Sequence, residues 1–147
     1  MEEIKIEKYD ANKFEHKYIS VVLDNDDDFQ KYVGDTYYLV QNMQKKQELG
    51  YNDQIYIAFV GTSPIGLVEL RILDDLPYIS IGIIPESRGH HYGRILFSYF
   101  TEYLFHIHQE YENIYASVNP QNITSIKNIL SSGFERINHT KYVKKRD

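Results

Sequence analysis

The stretch Ile81-Gly82-Ile83-Ile84-Pro85-Glu86-Ser87-Arg88-Gly89-His90-His91-Tyr92-Gly93-Arg94 constrains this chain more than any other part of it. A β-rich run ends at a proline, a short Gly-containing loop crosses, and a long amphipathic run opens at Gly93. A strand that feeds a helix in this way belongs to a layered α/β architecture. The loop aims several unpaired N–H groups at one point, backed by the positive end of the helix. A diphosphate is a matching guest, each helix-terminus contact with an anion contributing roughly 0.3–1 kcal/mol, up to about 2 when partly buried. Arg88 and Arg94 would add positive charge. Neither common nucleotide pattern is present: there is no Gly-x-x-x-x-Gly-Lys-Ser/Thr and no full Gly-x-Gly-x-x-Gly. By local shape alone, an ordinary strand–turn–helix joint is an equal alternative.

The flanking patterns extend the α/β reading. Glu3–Tyr9 alternates Ile4 and Ile6 with polar residues, a short strand. Residues 12–49 read as helix, with Phe14, Tyr18 and Val22 spaced by four as the apolar face. Asp24–Asp28 interrupts that helix, Asp28 serving as a cap, and a second amphipathic stretch around Leu39, Val40 and Met43 stops at Gly50. From Gln54 the period changes to two. Ile55–Val60, Ile65–Leu73 and Tyr78–Ile84 are joined by Gly61-Thr62-Ser63-Pro64 and Asp74-Asp75-Leu76-Pro77, an antiparallel meander. A helix from Gly93 to about Glu110 carries Leu96, Phe100 and Leu104 with Tyr99, Tyr103 and Ile107 as its apolar face. Ile114–Val118 is a strand, Asn122–Ser132 a helix closed by Gly133, and Phe134–Val143 holds one or two more strands. The sum is an α/β sandwich on a mixed, mostly antiparallel sheet.

Composition removes whole classes of function. At 147 residues the chain is expected to be one domain, 1–147, hiding roughly 70% of its unfolded surface. Zero cysteines exclude disulfides, Cys-ligated zinc, iron–sulfur clusters and a thiol nucleophile, and suit a reducing cytoplasm. Sixteen Lys and Arg against twenty-one Asp and Glu give −5, the wrong sign for a nucleic-acid binder and a lean toward cationic partners. The opening MEEIKIEKYD has neither the basic nor the apolar region of a signal peptide, and no apolar run approaches the roughly 18 residues of a membrane span. A cytoplasmic location without membrane partners is therefore expected.

Two motifs resemble the GNAT superfamily of N-acetyltransferases. Its acyl-CoA pyrophosphate loop reads Gln/Arg-x-x-Gly-x-Gly/Ala after a strand ending in Val-x-Pro. Here Ile83-Ile84-Pro85 precedes Arg88-Gly89-His90-His91-Tyr92-Gly93. Members also carry an Asn eleven residues before a Gly-Phe pair; Asn122 and Gly133-Phe134 have that spacing, with Ser125 at the usual small-residue position. The likeness covers about residues 54–143. It implies a sheet whose fourth and fifth strands splay apart, with pantetheine filling the gap like an added strand. On that resemblance Ile81, Gly82 and Ile83 offer backbone contacts to pantetheine and the thioester. Gly89, His90, His91, Tyr92, Gly93 and Arg94 cradle the pyrophosphate with Arg88 alongside, and the Asn122 amide reaches the pantetheine arm while also capping its helix. Acetyl-CoA is the implied acyl donor, with no metal.

Three positions depart from the pattern. His91 replaces the first loop glycine, a modest strain if φ is positive, since His is among the non-Gly residues enriched there. Ile129 stands where many members place a proton-donating Tyr, and Ser117 where the protein N-terminus branch has a Glu. A thioester is already activated, and a thiol of pKa about 8.5 leaves readily. The chain's main tasks are to hold a neutral amine and to aim an N–H at the developing oxyanion, for which the Ile83 amide is the candidate. The amine proton must also leave; Glu69, Tyr78 and Ser80 are the candidates to take it, Glu69 equally being a partner of Arg71.

The remaining features are assigned bland roles. Asp24, Asp26 and Asp28 match positions one, three and five of a calcium loop, but Phe29 and Asp35 break that pattern. The acidic run instead offers an attraction for a cationic amine. His106 and His108 diverge on their helix, so no metal is expected. Lys144-Lys145-Arg146 reads as a frayed terminus, and exposed Tyr and Phe on residues 93–110 or the last strands offer a homodimer surface. The expected activity is direct transfer of acetyl from acetyl-CoA to a primary amine, a small cationic acceptor being favoured. The alternatives are a catalytically silent acyl-CoA-binding module and a protein or peptide N-acetyltransferase.

Overall fold

Residues 3–147 are described by a computed structural model. Strand β1 (Ile4–Lys8) leads into three helices, α1 (Phe14–Asp24), α2 (Asp27–Tyr32) and α3 (Thr36–Glu48). The meander follows as β2 (Gln54–Val60), β3 (Ser63–Leu73) and β4 (Leu76–Ile83). A 3₁₀ turn at Pro85–Ser87 precedes α4 (Tyr92–Ile107), β5 (Asn113–Ser117), α5 (Ile123–Ser131), β6 (Glu135–Arg136) and β7 (Lys141–Lys145). The strands form one seven-stranded sheet in the order β1-β2-β3-β4-β5-β7-β6, antiparallel except at β4–β5. The mixed, mostly antiparallel architecture is the expected one. No helix among the described residues is long and apolar enough to cross a membrane.

Each face of the sheet carries its own core. On one side Ile19, Leu23, Phe29 and Leu39 pack on Ile55, Ile57, Phe59 and Leu67. On the other, Leu96, Phe100, Leu104 and Ile129 pack on Tyr56, Val68, Leu70, Ile79 and Ile114. Each fully buried Leu or Phe contributes roughly 1.5–3 kcal/mol relative to exposure.

The helix faces differ from the periodicity reading at several points. In α1 the buried row is His16, Ile19, Ser20 and Leu23, while Phe14 is 80% exposed. A polar residue enters this core because it is fully bonded: the Asp10 N–H donates to His16 Nδ1 at 2.9 Å. The ring proton is thereby left on Nε2, 3.0 Å from Glu7 Oε1. That bond outweighs burial and, with Lys5 and Lys13, lowers the Glu7 pKa to about 2. Residues 12–49 make three helices because Gly34 (φ 124°) ends one and Asp35 caps the next by accepting from the Tyr37 N–H. Asp26 rather than Asp28 caps α2, its carboxylate lying 3.0 Å from the Phe29 N–H. In α4 the row beside Leu96, Phe100 and Leu104 is Gly93, Phe97 and Thr101, and Ile107 is 43% exposed where the helix stops.

The C-terminal basic segment is built into the fold instead of fraying. Lys144 and Lys145 belong to β7, and the Arg146 guanidinium donates to the carbonyls of Phe105, His108 and Tyr111 at 2.6–2.9 Å. It thus adds charged donors to carbonyls at and beyond the end of α4, two of which also accept from Gln109 and the Tyr111 N–H. Arg146→Ala is expected to lower unfolding free energy by about 2–3 kcal/mol, measured by chemical denaturation. Lys at this position should restore less than half, because a point charge cannot bridge three carbonyls.

Candidate active site

The site begins with a divergence in the sheet. Strands β4 and β5 meet at one bridge among the described residues, Tyr78 with Tyr115. Hydrogen-bonded pairs recur at every second residue of an antiparallel ladder. The Ile84 N–H donates to the Ile65 carbonyl at 3.0 Å, and the register pairs Gly66 with Ile83 and Leu67 with Gly82. Ser80 and Gly82 therefore turn their main-chain polar groups to β3, whereas Ile81 and Ile83 turn theirs toward β5. Across the gap, the Val118 N–H donates to the Thr140 carbonyl at 2.9 Å, so Ser117 turns its main chain toward β4 by the same alternation. Past Tyr78 the two strands face each other unpaired. The expected splay is present.

Gly82 lines the larger cavity but has a packing role of its own. Its main chain is used in the β3–β4 ladder, and a Cβ there would stand 2.4 Å from the Phe29 ring of α2. The glycine lets α2 lie against β4.

Two adjoining cavities occupy the gap and its mouth. The smaller, about 80 Å³, lies between Ile79, Ser80 and Ile81 on one strand and Ser117, Val118 and Asn119 on the other. Tyr32, Val33 and Arg71 line it from one face of the sheet, and Phe97, Asn122, Ser125 and Ile129 from the other. The larger, about 510 Å³, runs from Ile81, Gly82 and Ile83 past Ser87, Arg88, Gly89, His91, Tyr92 and Gly93 to Thr124 and Asn128. Tyr32, Val33, Ile81, Phe97, Asn122 and Ser125 belong to both linings.

The loop beside the larger cavity is shaped for an anion. Gly89 (φ 84°) and His91 (φ 63°, ψ 17°) are both left-handed, so His91 carries the strain its sequence position implied. Main-chain N–H groups of residues 89–94 make no backbone hydrogen bond among the described residues, and the first helical bond runs from Ile95 to His91 at 3.1 Å. Nothing lies within 4 Å of where a Gly89 Cβ would stand. A ligand with a diphosphate fits that open row of donors. Gly93 has a packing reason: a Cβ would meet the Asn128 amide nitrogen at 2.5 Å, where α5 closes on α4.

The two loop arginines are placed differently from each other, Arg88 lining the larger cavity and Arg94 not. Arg88 Nε donates to the Ile83 carbonyl at 3.0 Å, and its Nη2 pairs with Asp26 Oδ2 at 2.6 Å. The same pairing holds the Asp26 carboxyl below its usual range despite some burial, with help from the Phe29 N–H. Arg94 is exposed and lines neither cavity, and His90 is exposed and stacks on Tyr92 at 5.4 Å. Of the residues expected to cradle a pyrophosphate, Arg88, Gly89, His91, Tyr92 and Gly93 line the cavity. Asn122 caps α5, its Oδ1 accepting from the Ser125 N–H at 3.3 Å, and lines both cavities.

Asp24 and Asp26 of the acidic run have structural partners. Asp24 accepts from the Thr36 N–H and hydroxyl at 2.9 and 2.8 Å, Asp26 holds Arg88, and Asp28 lines only the larger cavity. None of the three lines the small cavity.

Glu69 and Tyr78 receive contrasting surroundings. Glu69 is 3% exposed, accepts from Ser80 Oγ at 3.2 Å and lies 3.4 Å from Arg71 Nε. Burial pushes its carboxyl up from 4.5, against the pull of Arg71 and Ser80. It therefore touches the cavity through Ser80. Tyr78, 4% exposed, stacks on Tyr115 at 5.4 Å with Lys141 over its ring, and lines neither cavity. It wedges the vertex of the gap. Sequence reasoning missed Tyr32, Val33 and Asn128 as walls, because no spacing signals which helix roofs a gap.

A layered α/β fold whose sheet opens beside an N–H-lined loop defines an acyl-CoA class of protein, and comparison agrees. The family model described as "Acetyltransferase (GNAT) family" matches residues 18–134. The chain belongs to that family, whose members take their acetyl group from acetyl-CoA. Among solved structures, an aminoglycoside acetyltransferase AAC(6')-Ib in complex with coenzyme A superposes with TM-score 0.74 at 19% identity, covering 98% of this chain and 95% of that one. A domain from Methanocaldococcus jannaschii DSM 2661 gives 0.76 at 20%, covering 99% and 100%. Spermidine N-acetyltransferase from Vibrio cholerae, in complex with CoA and spermine, gives 0.67 at 18%, covering 97% and 92%. At these identities the likeness concerns the fold. No curated protein matches the chain in sequence.

Proposed function

We propose that the chain acts as a single domain over residues 1–147 that moves an acetyl group from acetyl-CoA directly to the primary amine of a small molecule. The observation that carries this reading is the main-chain edge of β4 at Ile81 and Ile83, where Arg88 takes the Ile83 carbonyl and leaves its N–H to the gap, opening on a cavity that continues into the N–H row beginning at Gly89. When bound, the donor supplies an activated thioester. The N–H row and Gly89 hold its anionic end, and Ile81 and Asn122 hold amides along its arm. The Ile83 N–H faces the gap, where it stabilises negative charge on a carbonyl oxygen. At the acceptor, the amine proton passes to Ser80 Oγ as the Ser80 proton passes to Glu69 Oε1. Burial keeps Glu69 basic enough to accept it. Ile129 lines the gap and has no proton to give, so the thiolate leaves on its own acidity.

The absence of a titratable side chain at Ile129 and Ser117 also favours a second reading, an acyl-CoA-binding module without turnover. One experiment separates the two. Acetyl-CoA at 100 times its Kd is expected to add about 2.7 kcal/mol of stability in a thermal shift, and thiol release across an amine panel should follow. A shift without release supports the silent module; no shift at millimolar donor overturns both.

A further inference from the structure

Arg71 lines the acceptor end of the gap and has spare donors. Its side chain is 37% exposed, and its Nε, 3.4 Å from Glu69 Oε1, is too far for a proper hydrogen bond. No hydrogen bond or ion pair engages its two terminal NH₂ groups among the described residues. Among the described residues it is the one charged side chain that lines the small cavity, Glu69 standing behind Ser80. Its other neighbours are the Tyr78 opposite it on β4 and the buried Asp53, whose Oδ2 accepts from the Ile72 N–H and whose Oδ1 has no partner among the described residues yet makes no ion pair with Arg71.

A guanidinium with both terminal nitrogens open is a bidentate fork for a carboxylate. We propose that the acceptor is an amine that also carries a carboxylate, an α- or β-amino acid, with Arg71 as its carboxylate anchor. The proposal rests on the acetyl-transfer reading above and reverses the charge that the acidic composition suggested for the acceptor. The spacing fits. Glu69 and Arg71 stand two residues apart on one face of β3, about 7 Å along the strand, and Arg71 folds back to Glu69. An amine at Ser80 and a carboxylate at Arg71 are therefore bridged by one or two carbons. The cavity of about 80 Å³ admits a group of that size. A second ammonium in the same place would meet Arg71 with like charge, which disfavours di- and polyamines. The positive guanidinium also favours the neutral, nucleophilic form of the reacting amine.

The test uses the full chain with CoA present and two readouts, calorimetric binding and thiol release from acetyl-CoA. The probes are glycine, L-alanine, L-serine and β-alanine, their carboxamides, and putrescine. The acids are expected to bind at least tenfold tighter than the amides and to be acetylated with a correspondingly higher kcat/KM. In Arg71→Gln that ratio should collapse to within about twofold, and Arg71→Lys should recover part of it. Amides or putrescine binding as well as the acids, or an unchanged ratio in Arg71→Gln, overturns the proposal. Acids that bind through Arg71 without thiol release would sustain the anchor and remove the acetyl-transfer reading. Release with putrescine in preference to the acids would do the reverse.

Discussion

Glu69→Gln is expected to lower kcat by about 10²–10⁴-fold and to leave the Kd for acetyl-CoA within about threefold. Gln still accepts from the Ser80 hydroxyl but cannot hold a proton, so the relay is kept in shape and loses its terminus. Because burial raises the Glu69 pKa above 4.5, wild-type activity should climb with pH along a limb that begins above that value. The variant should lack the limb. The stability effect has the opposite sense. A carboxyl whose folded pKa is raised contributes its full share below 4.5 and loses it as pH rises through the folded value. At pH 8 the Gln variant should therefore unfold at or above the wild-type temperature. A variant with lower stability and unchanged kcat would assign Glu69 to the scaffold alone. Steady-state thiol release and scanning calorimetry read both quantities.

Ile83→Pro is expected to lower kcat by about 10²–10³-fold while the protein stays folded. The substitution deletes one N–H, the one that the β3–β4 register turns into the gap. Proline is tolerated where a strand edge has no ladder bond to lose, and β4 past Tyr78 is such an edge. Ile84→Pro is the contrasting variant. Its N–H bonds to Ile65 at 3.0 Å, so its loss should cost stability first and activity only as a consequence. Equal destabilisation by the two prolines, or undiminished turnover in Ile83→Pro, would remove the Ile83 N–H from the mechanism.

Most of the fold was legible because its signals are local. Period-two runs between turn residues marked β2, β3 and β4, and the Pro–Gly loop with Asn122 marked residues that line the larger cavity by residue type and spacing. The α1 face was misread because Phe14, Tyr18 and Val22 share the spacing of His16, Ile19, Ser20 and Leu23. Which row is buried depends on Glu7 and Asp10, which satisfy His16 from outside the helix. The fate of Arg88 was beyond reach for a similar reason: its partner Asp26 lies 62 residues away, in a run that looked like a solvated loop. The alternation of Glu69 and Arg71 was readable, and their pairing was named. That Arg71 also lines a cavity follows from the divergence of β4 and β5, which no pattern in either strand announces.

The single Tyr78–Tyr115 bridge has a consequence for cooperativity. Counted by its hydrogen bonds, the seven-stranded sheet is a four-stranded and a three-stranded sheet hinged at one residue pair. The seam between them holds few of the ladder bonds that make a sheet unfold as one body. A ligand chain of amides lying in that seam would stitch the two halves into one cooperative unit, so the donor would serve as the missing strand of the fold as well as the source of its acetyl group.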